Sequence, residues 1–461
     1  MSNNLPPANH SYRPQSSTPT NPQRTRKLLA LSACAFLFAT PAAQAATQPE
    51  AVKFVPFEQF LNSTRASSAA DLMHRPESKV ANAPAVEEMR KAILDRYEGV
   101  TVSHSFLLDN QHYDCVPVHQ QPAFHTYGIK AAAQAPPLEL LTQHQPTANA
   151  SPSAPKSPEV ASFDANGNST RCEANTVPLL RTTLETMSHF KSLNDFYQKK
   201  PGNAVHVAQA NFATPGGPAH KYSYTYQFVN NLGGNSNLNL WSPYVNTALG
   251  EIFSLSQEWY IGGSGAGTQT EEVGWVVYPA MFNGSEQAHF FIFSTADNYA
   301  SGCWNNTCGD FVQVASSGLL GNSWSAYSSP GGAQYEFAAK YYLYQGNWWL
   351  GYGSTWVGYY PGAKYHGGQN SRYAQIIEFG SESVGSWIWP PEGSGAWSST
   401  GWSHAAYQRN LYYINTSGTS LWDSLNSAQP SPACYSITGP YNNTGAWSRY
   451  FYEGGPGGFG C

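Results

Sequence analysis

Charged residues are scarce in this chain, and tryptophan is missing from its first half. Asp, Glu, Lys and Arg make up only 11% of the 461 residues, and the net charge is −5. A chain without a basic excess lacks the electrostatic footprint of a nucleic-acid-binding protein. All 14 tryptophans lie at or after Trp241, so the two halves of the chain predict different kinds of structure.

Long apolar runs are also missing, apart from residues 28–39. This run follows a basic stretch at 24–27 and precedes a small-residue stretch that ends at Ala45. A basic stretch, an apolar run and a small-residue stretch in this order are typical of a secretory signal. The apolar run is too short to span a bilayer as a helix. We therefore predict cleavage near Ala45, a secreted or periplasmic protein and no membrane partner. Lipidation of Cys34 is the alternative, since residues 31–34 resemble a lipoprotein box.

Cysteine is rare, with seven residues, and Cys34 falls within the predicted signal. The six others are an even number in an exported chain, which predicts disulfides but leaves their connectivity open. The pair Cys303 and Cys308 has no histidine nearby, so a hairpin disulfide is favoured there over a metal site. The histidines of the later region are isolated from one another, and we expect neither a metal nor a cofactor.

Composition divides the rest of the chain into two regions. Residues 46–200 contain helix-like stretches at 85–97 and 179–197, and a Pro-, Ala- and Ser-rich segment at 131–160 that predicts a flexible linker or loop. Residues 204–461 have short β-prone runs between Gly, Ser and Asn turns. We predict an α+β N-terminal domain followed by an all-β antiparallel sandwich. Acidic and basic side chains are both few in residues 204–461. Protonation of the carboxylates in acid should therefore destabilise this region little.

Two strand-like runs in the later region each carry a glutamate two residues from a glycine. In the run 270–279 this glutamate is Glu272, and in the run 376–382 it is Glu382. Alternate residues of a strand share a face, so each carboxylate has free space beside it. Two carboxylates held close together can act as general acid and general base, because like charges raise one of the two pKa values.

Several runs resemble those of the neprosin-type glutamic prolyl endopeptidases. The runs are FSLSQEW at 253–259, TEEVGWVVYP at 270–279, the cysteine hairpin and DFVQ at 302–313, GNWW at 346–349, IEFGSE at 377–382 and YFYEGGPG at 450–457. Upstream, the surroundings of Cys115 and Cys172 resemble the activation peptide of the family. Together these runs cover most of the chain from about residue 110 onward.

The resemblance implies a β-sandwich with one catalytic glutamate on each of two strands. By position these are Glu272 and Glu382, and Glu378 is the alternative for the second role because it shares the face of Glu382. The resemblance also implies cleavage after proline in protein or peptide substrates, with an activated water and without a cofactor. The region before about 200 would be a propeptide that folds against the sandwich and is removed in acid.

A proline-binding pocket would be flat and apolar, and the candidates to line it are Trp275, Tyr278 and Trp348. Core packing is the alternative role for each of them, because aromatic side chains mostly fill interiors. The disulfides expected with this assignment are Cys115–Cys172, Cys303–Cys308 and Cys434–Cys461.

A different class of protein has the same raw features. Aromatic-rich β-sandwiches with paired carboxylates also hydrolyse or bind polysaccharides, with tryptophans as sugar platforms. A glycoside hydrolase or a carbohydrate-binding module is therefore the alternative function. The propeptide-like N-terminal region favours the peptidase, since glycosidases and binding modules seldom need to be kept inactive.

Overall fold

A computed structural model describes residues 52–142, 162–199, 219–317, 320–443 and 447–461. All of them belong to one compact unit. The predicted signal at 1–45, most of the predicted linker at 131–160 and the predicted domain junction near 200 lie outside the described residues.

The N-terminal region combines short helices with a small sheet, in which β2 is paired antiparallel to both β1 and β3. The α3 helix begins where the Asn82 side chain accepts a hydrogen bond from the Ala85 backbone, a typical N-terminal cap. The elements are α1 (Phe57–Ala66), α2 (Ala69–Met73), α3 (Ala83–Arg96), β1 (Ser105–Leu108), β2 (Gln111–Pro117), α4 (Pro122–Thr126), α5 (Glu139–Thr142), β3 (Thr176–Leu180), α6 (Leu184–Ser188) and α7 (Leu193–Tyr197).

The later region is built from strands that begin at Ala219. They are β4 (Ala219–Asn239), β5 (Glu251–Gly262), β6 (Gln269–Val277), β7 (His289–Thr295), β8 (Cys303–Trp304), β9 (Val312–Gln313), β10 (Glu336–Tyr344), β11 (Asn347–Tyr352), β12 (Thr355–Pro361), β13 (Ala374–Gly385), β14 (Ile388–Trp389), β15 (Ala406–Asn415), β16 (Ser420–Trp422), β17 (Asn426–Ala428), β18 (Ser436–Asn442), β19 (Arg449–Gly454) and β20 (Gly458–Phe459).

The long strand β4 joins the two layers of the sandwich. Its first half pairs with β13, and its second half pairs with β10 and β15. The sheet order is β8-β7-β6-β5-β13-β4-β10-β11-β12-β9, with β15, β16, β17, β18 and β19 attached beside this path. The sheet thus curls over itself, and residues of β6 such as Trp275 share a buried cluster with Phe337 of β10 and Leu350 of β11. The predicted all-β antiparallel class is confirmed.

The N-terminal region packs on the outer face of β5, β6 and β7. Val86 and Phe196 from its helices share a buried cluster with Phe253, Val276 and Phe291 from the sheet. Val276 lies on the same strand face as Glu272, because the two are four residues apart in one strand. The N-terminal region therefore covers the sheet face that carries the predicted catalytic glutamates.

The structure forms the three disulfides expected from the sequence. Cys115–Cys172 lies within the N-terminal region, whereas Cys303–Cys308 and Cys434–Cys461 lie in the sandwich. Among the described residues, no helix is both long and apolar enough to cross a membrane.

Candidate active site

Strand β5 lies between the two strands that carry Glu272 and Glu382. In register, Glu272 of β6 is opposite Trp259 of β5, and Glu382 of β13 is opposite Leu255 of β5. Gln257 lies between Trp259 and Leu255 and shares their face, because alternate residues of a strand point the same way. The two glutamates therefore face each other diagonally across β5, one on each side of Gln257.

Glycines on both sides of Gln257 make room for this diagonal approach. Gln257 is opposite Gly274 on β6 and Gly380 on β13. A Cβ atom added to Gly274 would lie 2.0 Å from the Ser256 carbonyl oxygen, and one added to Gly380 would lie 2.3 Å from the Ser223 carbonyl oxygen. Neither position can carry a side chain without moving a neighbouring strand. The sequence pattern of glutamate and nearby glycine thus has a steric cause.

The side chain of Lys199 joins the two glutamates. Its ammonium nitrogen lies 2.5 Å from Oε2 of Glu272 and 2.7 Å from Oε2 of Glu382, and it also donates to Oε1 of Gln257 at 3.0 Å. Lys199, Glu272 and Glu382 are almost fully buried, with 2%, 0% and 2% of their side chains exposed. One cation therefore holds both carboxylates within hydrogen-bond reach of a single point.

Glu272 has two further donors, both hydroxyl groups. Thr270 donates to its Oε1 at 2.9 Å, and Tyr299 donates to the same oxygen at 2.7 Å. Burial and the charge of Glu272 raise the pKa of the Tyr299 hydroxyl well above its ordinary value, so the tyrosine stays a donor. These contacts fix the orientation of the Glu272 carboxylate without using its Oε2 atom, which bonds Lys199.

Glu382 is held by an imidazole and an amide. Nδ1 of His220 lies 2.5 Å from Oε1 of Glu382, and Nε2 of Gln257 donates to Oε2 at 3.0 Å. Burial alone would raise the pKa of Glu382, but Lys199 and His220 outweigh that effect and lower the pKa to about 2. Glu382 is therefore ionised across the ordinary range of pH in this form of the protein.

Glu378 lies on the same face of β13 but in a different setting. It is opposite Trp259 on β5 and Tyr226 on β4, and its Oε2 atom is buried without a hydrogen-bond partner among the described residues. Burial and the nearby charge of Glu272 raise the pKa of Glu378 to about 8. Glu378 therefore differs from Glu382 in being protonated in acid and at neutral pH.

The three aromatic pocket candidates lie in two different places. Trp275 and Trp348 belong to the buried cluster between the sandwich layers, and Trp275 points away from Glu272. Tyr278 lies in the cluster that the N-terminal region shares with the sheet, with its ring 5.3 Å from the ring of Phe253. The structure brings Glu272 and Glu382 together, whereas it does not bring these three aromatic residues together.

Five side chains that contact the two glutamates were not predicted from the sequence to do so: Lys199, His220, Gln257, Thr270 and Tyr299. Gln257 lies two residues before Trp259 in the run FSLSQEW, and the alternation of side chains along a strand could have placed it on the same face as Trp259. Lys199 precedes a Lys-Pro-Gly sequence that is typical of a helix end. No local pattern predicts that its ammonium group is buried between two carboxylates.

Among the described residues, two groups of side chains have the spacing of metal ligands. They are His104, Cys115 and Glu173, and Cys303, Cys308 and Asp310. Their cysteines are bonded in disulfides and so are not available as thiolate ligands.

Comparisons with known proteins place the later region in a family. Residues 250–456 match the Neprosin family model. Among solved structures, the chain has a distant likeness to scytalido-glutamic peptidase bound to a transition-state analogue inhibitor, with a TM-score of 0.29 and 8% identity. A second structure, of the same peptidase with a peptide-based transition-state analogue, gives a TM-score of 0.28 and 7% identity. Each alignment covers 52% of this chain and 98% of the other.

Proposed function

Residues 250–456 of this chain belong to the neprosin family, and from that premise we propose a secreted glutamic endopeptidase that is made as a zymogen and cleaves after proline in acid. The family supports a glutamic-type peptidase. The preference for proline, the activation in acid, the secretion and the roles of individual residues are parts of the proposal.

The observation that carries the proposal is the position of the two carboxylates. Oε2 of Glu272 and Oε2 of Glu382 both lie within 2.7 Å of the Lys199 nitrogen. Two carboxylates at this range can divide acid and base roles between them, because one ionises more readily than the other. Without Lys199, a water or a substrate carbonyl would find both groups within hydrogen-bond reach.

In the proposed mechanism Glu382 is the general base and Glu272 is the general acid. Glu382 takes a proton from a water, whose oxygen attacks the carbonyl carbon of the scissile peptide. Glu272 gives its proton to the carbonyl oxygen, which forms an intermediate with two hydroxyl groups. As the C–N bond breaks, Glu382 passes the proton it received to the leaving amine, and one hydroxyl of the intermediate returns a proton to Glu272, so a carboxylic acid and an amine leave and both glutamates regain their starting states. His220 and Gln257 support the base, because both contact the ionised Glu382 carboxylate.

The contacts of Lys199 support the proposal that the protein is made in a latent form. Lys199 belongs to the N-terminal region that covers the catalytic face, and its ammonium group occupies the position between the two carboxylates. A substrate carbonyl and a catalytic water cannot occupy that position at the same time. We therefore propose that residues 46–200 act as a propeptide, with Lys199 as its inhibitory contact, and that proline-containing proteins or peptides are the substrates.

The alternative of a carbohydrate-active sandwich receives less support. The family match favours the peptidase, and Trp275 and Trp348, which could serve as sugar platforms, are buried between the sheets.

The test is hydrolysis of a quenched peptide with one central proline by the acid-incubated protein between pH 3 and 7. The matched peptide has alanine in place of proline. We expect acid-dependent cleavage after proline that is lost in Glu272→Gln and in Glu382→Gln. The control is Glu286→Gln, since Glu286 is exposed. Cleavage that survives in Glu382→Gln but not in Glu378→Gln would move the second catalytic role to Glu378.

A further inference from the structure

A row of aromatic side chains leads away from Glu272 and Glu382, here called the candidate dyad, on the same sheet face. Tyr222, Tyr224, Tyr226 and Phe228 alternate along β4, so they share one face. Tyr222 is opposite Glu382, and Phe228 is opposite Ile376 at the far end of the row. The row thus begins beside a catalytic glutamate and extends along three further positions.

The rings of Tyr224, Tyr226 and Phe228 contact each other, and their exposed fraction rises from Tyr224 to Phe228. The ring centroids of Tyr224 and Tyr226 are 5.9 Å apart, and those of Tyr226 and Phe228 are 5.5 Å apart. Tyr224 is 5% exposed, Tyr226 is half-buried and Phe228 is 67% exposed. A phenylalanine this exposed in the middle of a strand is unusual, because the burial of such an apolar ring is favourable.

Trp259 brings a second ring to the same place from β5. Its centroid lies 6.5 Å from that of Tyr222, and no side chain of β13 stands between them at Gly380. Trp259, Tyr222 and Tyr224 form one buried cluster, against which Tyr226 packs. The aromatic row, meaning Tyr222, Tyr224, Tyr226, Phe228 and Trp259, therefore forms a continuous surface next to the dyad.

Glu378 lies within this row, between Trp259 and Tyr226 in register. It is 4% exposed, and its Oε2 atom has no hydrogen-bond partner among the described residues. A buried polar atom without a partner destabilises the fold, because it has lost its hydrogen bonds to water and gained none in return. A ligand that supplies the missing hydrogen bond would remove this cost.

Resting on the proposed function, we propose that Glu378 and the aromatic row bind the substrate chain beyond the scissile bond. The Glu378 carboxyl donates a hydrogen bond to a backbone carbonyl of an extended peptide, and the rings hold its proline and aromatic side chains. A peptide carbonyl is suited to this role because it accepts hydrogen bonds and carries no charge. Proline and aromatic residues suit the rings, since both present flat apolar surfaces.

The protonation of Glu378 agrees with a donor role. Burial raises its pKa, and with the smaller effect of the Glu272 charge in this form of the protein the pKa is about 8, so the carboxyl keeps its proton in acid. The acid groups that face Glu378 from its neighbours are Glu272 across β5 and Glu382 along β13, and the hydroxyls of Tyr222 and Tyr224 lie near it. The ammonium group of Lys199, which contacts both Glu272 and Glu382, brings a positive charge to this site.

The test compares short and long quenched peptides cleaved at the same proline by the acid-incubated protein. The short peptide has two residues on each side of the bond, and the long ones add four residues, rich in proline and tyrosine, at one end or the other. We expect an extension at one end to raise kcat/KM. Phe228→Ala and Glu378→Leu should each lower the ratio of long to short kcat/KM at least fivefold.

Two matched variants separate this role from others. Glu378→Gln keeps a hydrogen-bond donor of the same shape, so it should keep most of the ratio. Phe459→Ala removes a phenylalanine that is 82% exposed elsewhere and should change nothing. An equal loss on short and long peptides in Glu378→Leu, or an unchanged ratio in both test variants, would overturn the subsite.

A failure of the proposed function has a different signature. The wild-type protein would then cleave neither peptide, and binding of the long peptide to the same acid-incubated protein would be followed by fluorescence anisotropy. Weaker binding in Phe228→Ala than in Phe459→Ala would still support the row as a peptide site. Equal binding in those two variants would reject it.

Discussion

The ammonium group of Lys199 lies 2.7 Å from Oε2 of Glu382, and both side chains are 2% exposed. Lys199 comes from the N-terminal region, and Glu382 from a central strand of the sandwich. A buried ion pair is strongly destabilised when one partner is removed, because the other is left as an uncompensated charge. The contact of Lys199 therefore links the packing of the N-terminal region on the sandwich to the charges of Glu272 and Glu382.

Lys199→Ala should weaken the inhibition of the precursor. Both glutamates lose their shared cation, so the N-terminal region should be held less tightly over the dyad. We expect conversion of the precursor to a smaller form at least tenfold faster at a given acid pH, measured by gel electrophoresis over time. Lys191→Ala is the matched control, since Lys191 is exposed. Equal rates in the two variants would contradict the role of Lys199.

Acid should release the lysine contact in a defined range of pH. The pKa of Glu382 is about 2 in the folded chain and 4.5 ordinarily, so its ionisation stabilises the folded form fully above pH 4.5. That contribution is lost as the pH falls from 4.5 towards 2. The conversion rate of the wild-type precursor should therefore rise as the pH falls through this range. In Lys199→Ala the rate should depend less steeply on pH, and an equally steep profile would argue against the contact.

The folded protein should lose stability as the pH rises above the acid range. Burial raises the pKa of Glu271 and Glu378 to about 8 and that of Glu453 to about 7, against an ordinary 4.5. Below pH 4.5 both the folded and the unfolded chain hold these protons, and stability is complete. Between 4.5 and 8 only the unfolded chain loses them, which costs up to about 1.4 kcal/mol per pH unit for each group.

The check is the unfolding temperature measured from pH 4 to 8. We expect a decline across this range for the wild type and a shallower decline for Glu271→Gln, whose side chain cannot ionise. Glu286→Gln, at an exposed site, should follow the wild type. A wild-type unfolding temperature that rises from pH 4 to 8 would contradict the assignment of protonated buried acids.

Arg409→Met should destabilise the sandwich. The guanidinium of Arg409 donates to both carboxylate oxygens of Glu336, at 2.8 Å and 2.5 Å, and both side chains are buried. Leaving Glu336 without its cation should cost about 3–5 kcal/mol of unfolding free energy. Urea unfolding would measure this loss, with Arg372→Met as the exposed control. The double variant Arg409→Met, Glu336→Leu should be less destabilised than Arg409→Met alone.

Gln257→Leu should lower the rate of catalysis more than it changes folding. Leucine fills the space between Gly274 and Gly380 but cannot donate to Glu382, which then loses one of its supports. We expect kcat to fall at least tenfold with a small change in KM, because a positioning group acts on the reacting carboxylate rather than on substrate affinity. A loss confined to KM would argue for a substrate contact instead.

The sequence predicts the strands that carry the dyad better than the groups that surround it. Glu272 and Glu382 each stand two residues from a glycine. This pattern can be read from the sequence because a side chain at Gly274 or Gly380 would collide with the backbone of the neighbouring strand. The single helix expected at 179–197 is instead β3, α6 and α7. The Thr183 and Ser192 side chains cap α6 and α7 and so start two separate helices. Lys199 could not be predicted, because its partners come from distant strands.

No disulfide among the described residues joins the N-terminal region to the sandwich, since Cys115–Cys172 lies wholly before Lys199 and the other two bonds lie after Ala219. A chain cut between these two residues would be held together by non-covalent contacts alone. Inhibition would then obey mass action, so dilution would favour activity and an excess of the separated N-terminal piece would suppress it. The piece would behave as a dissociable inhibitor with its own affinity constant.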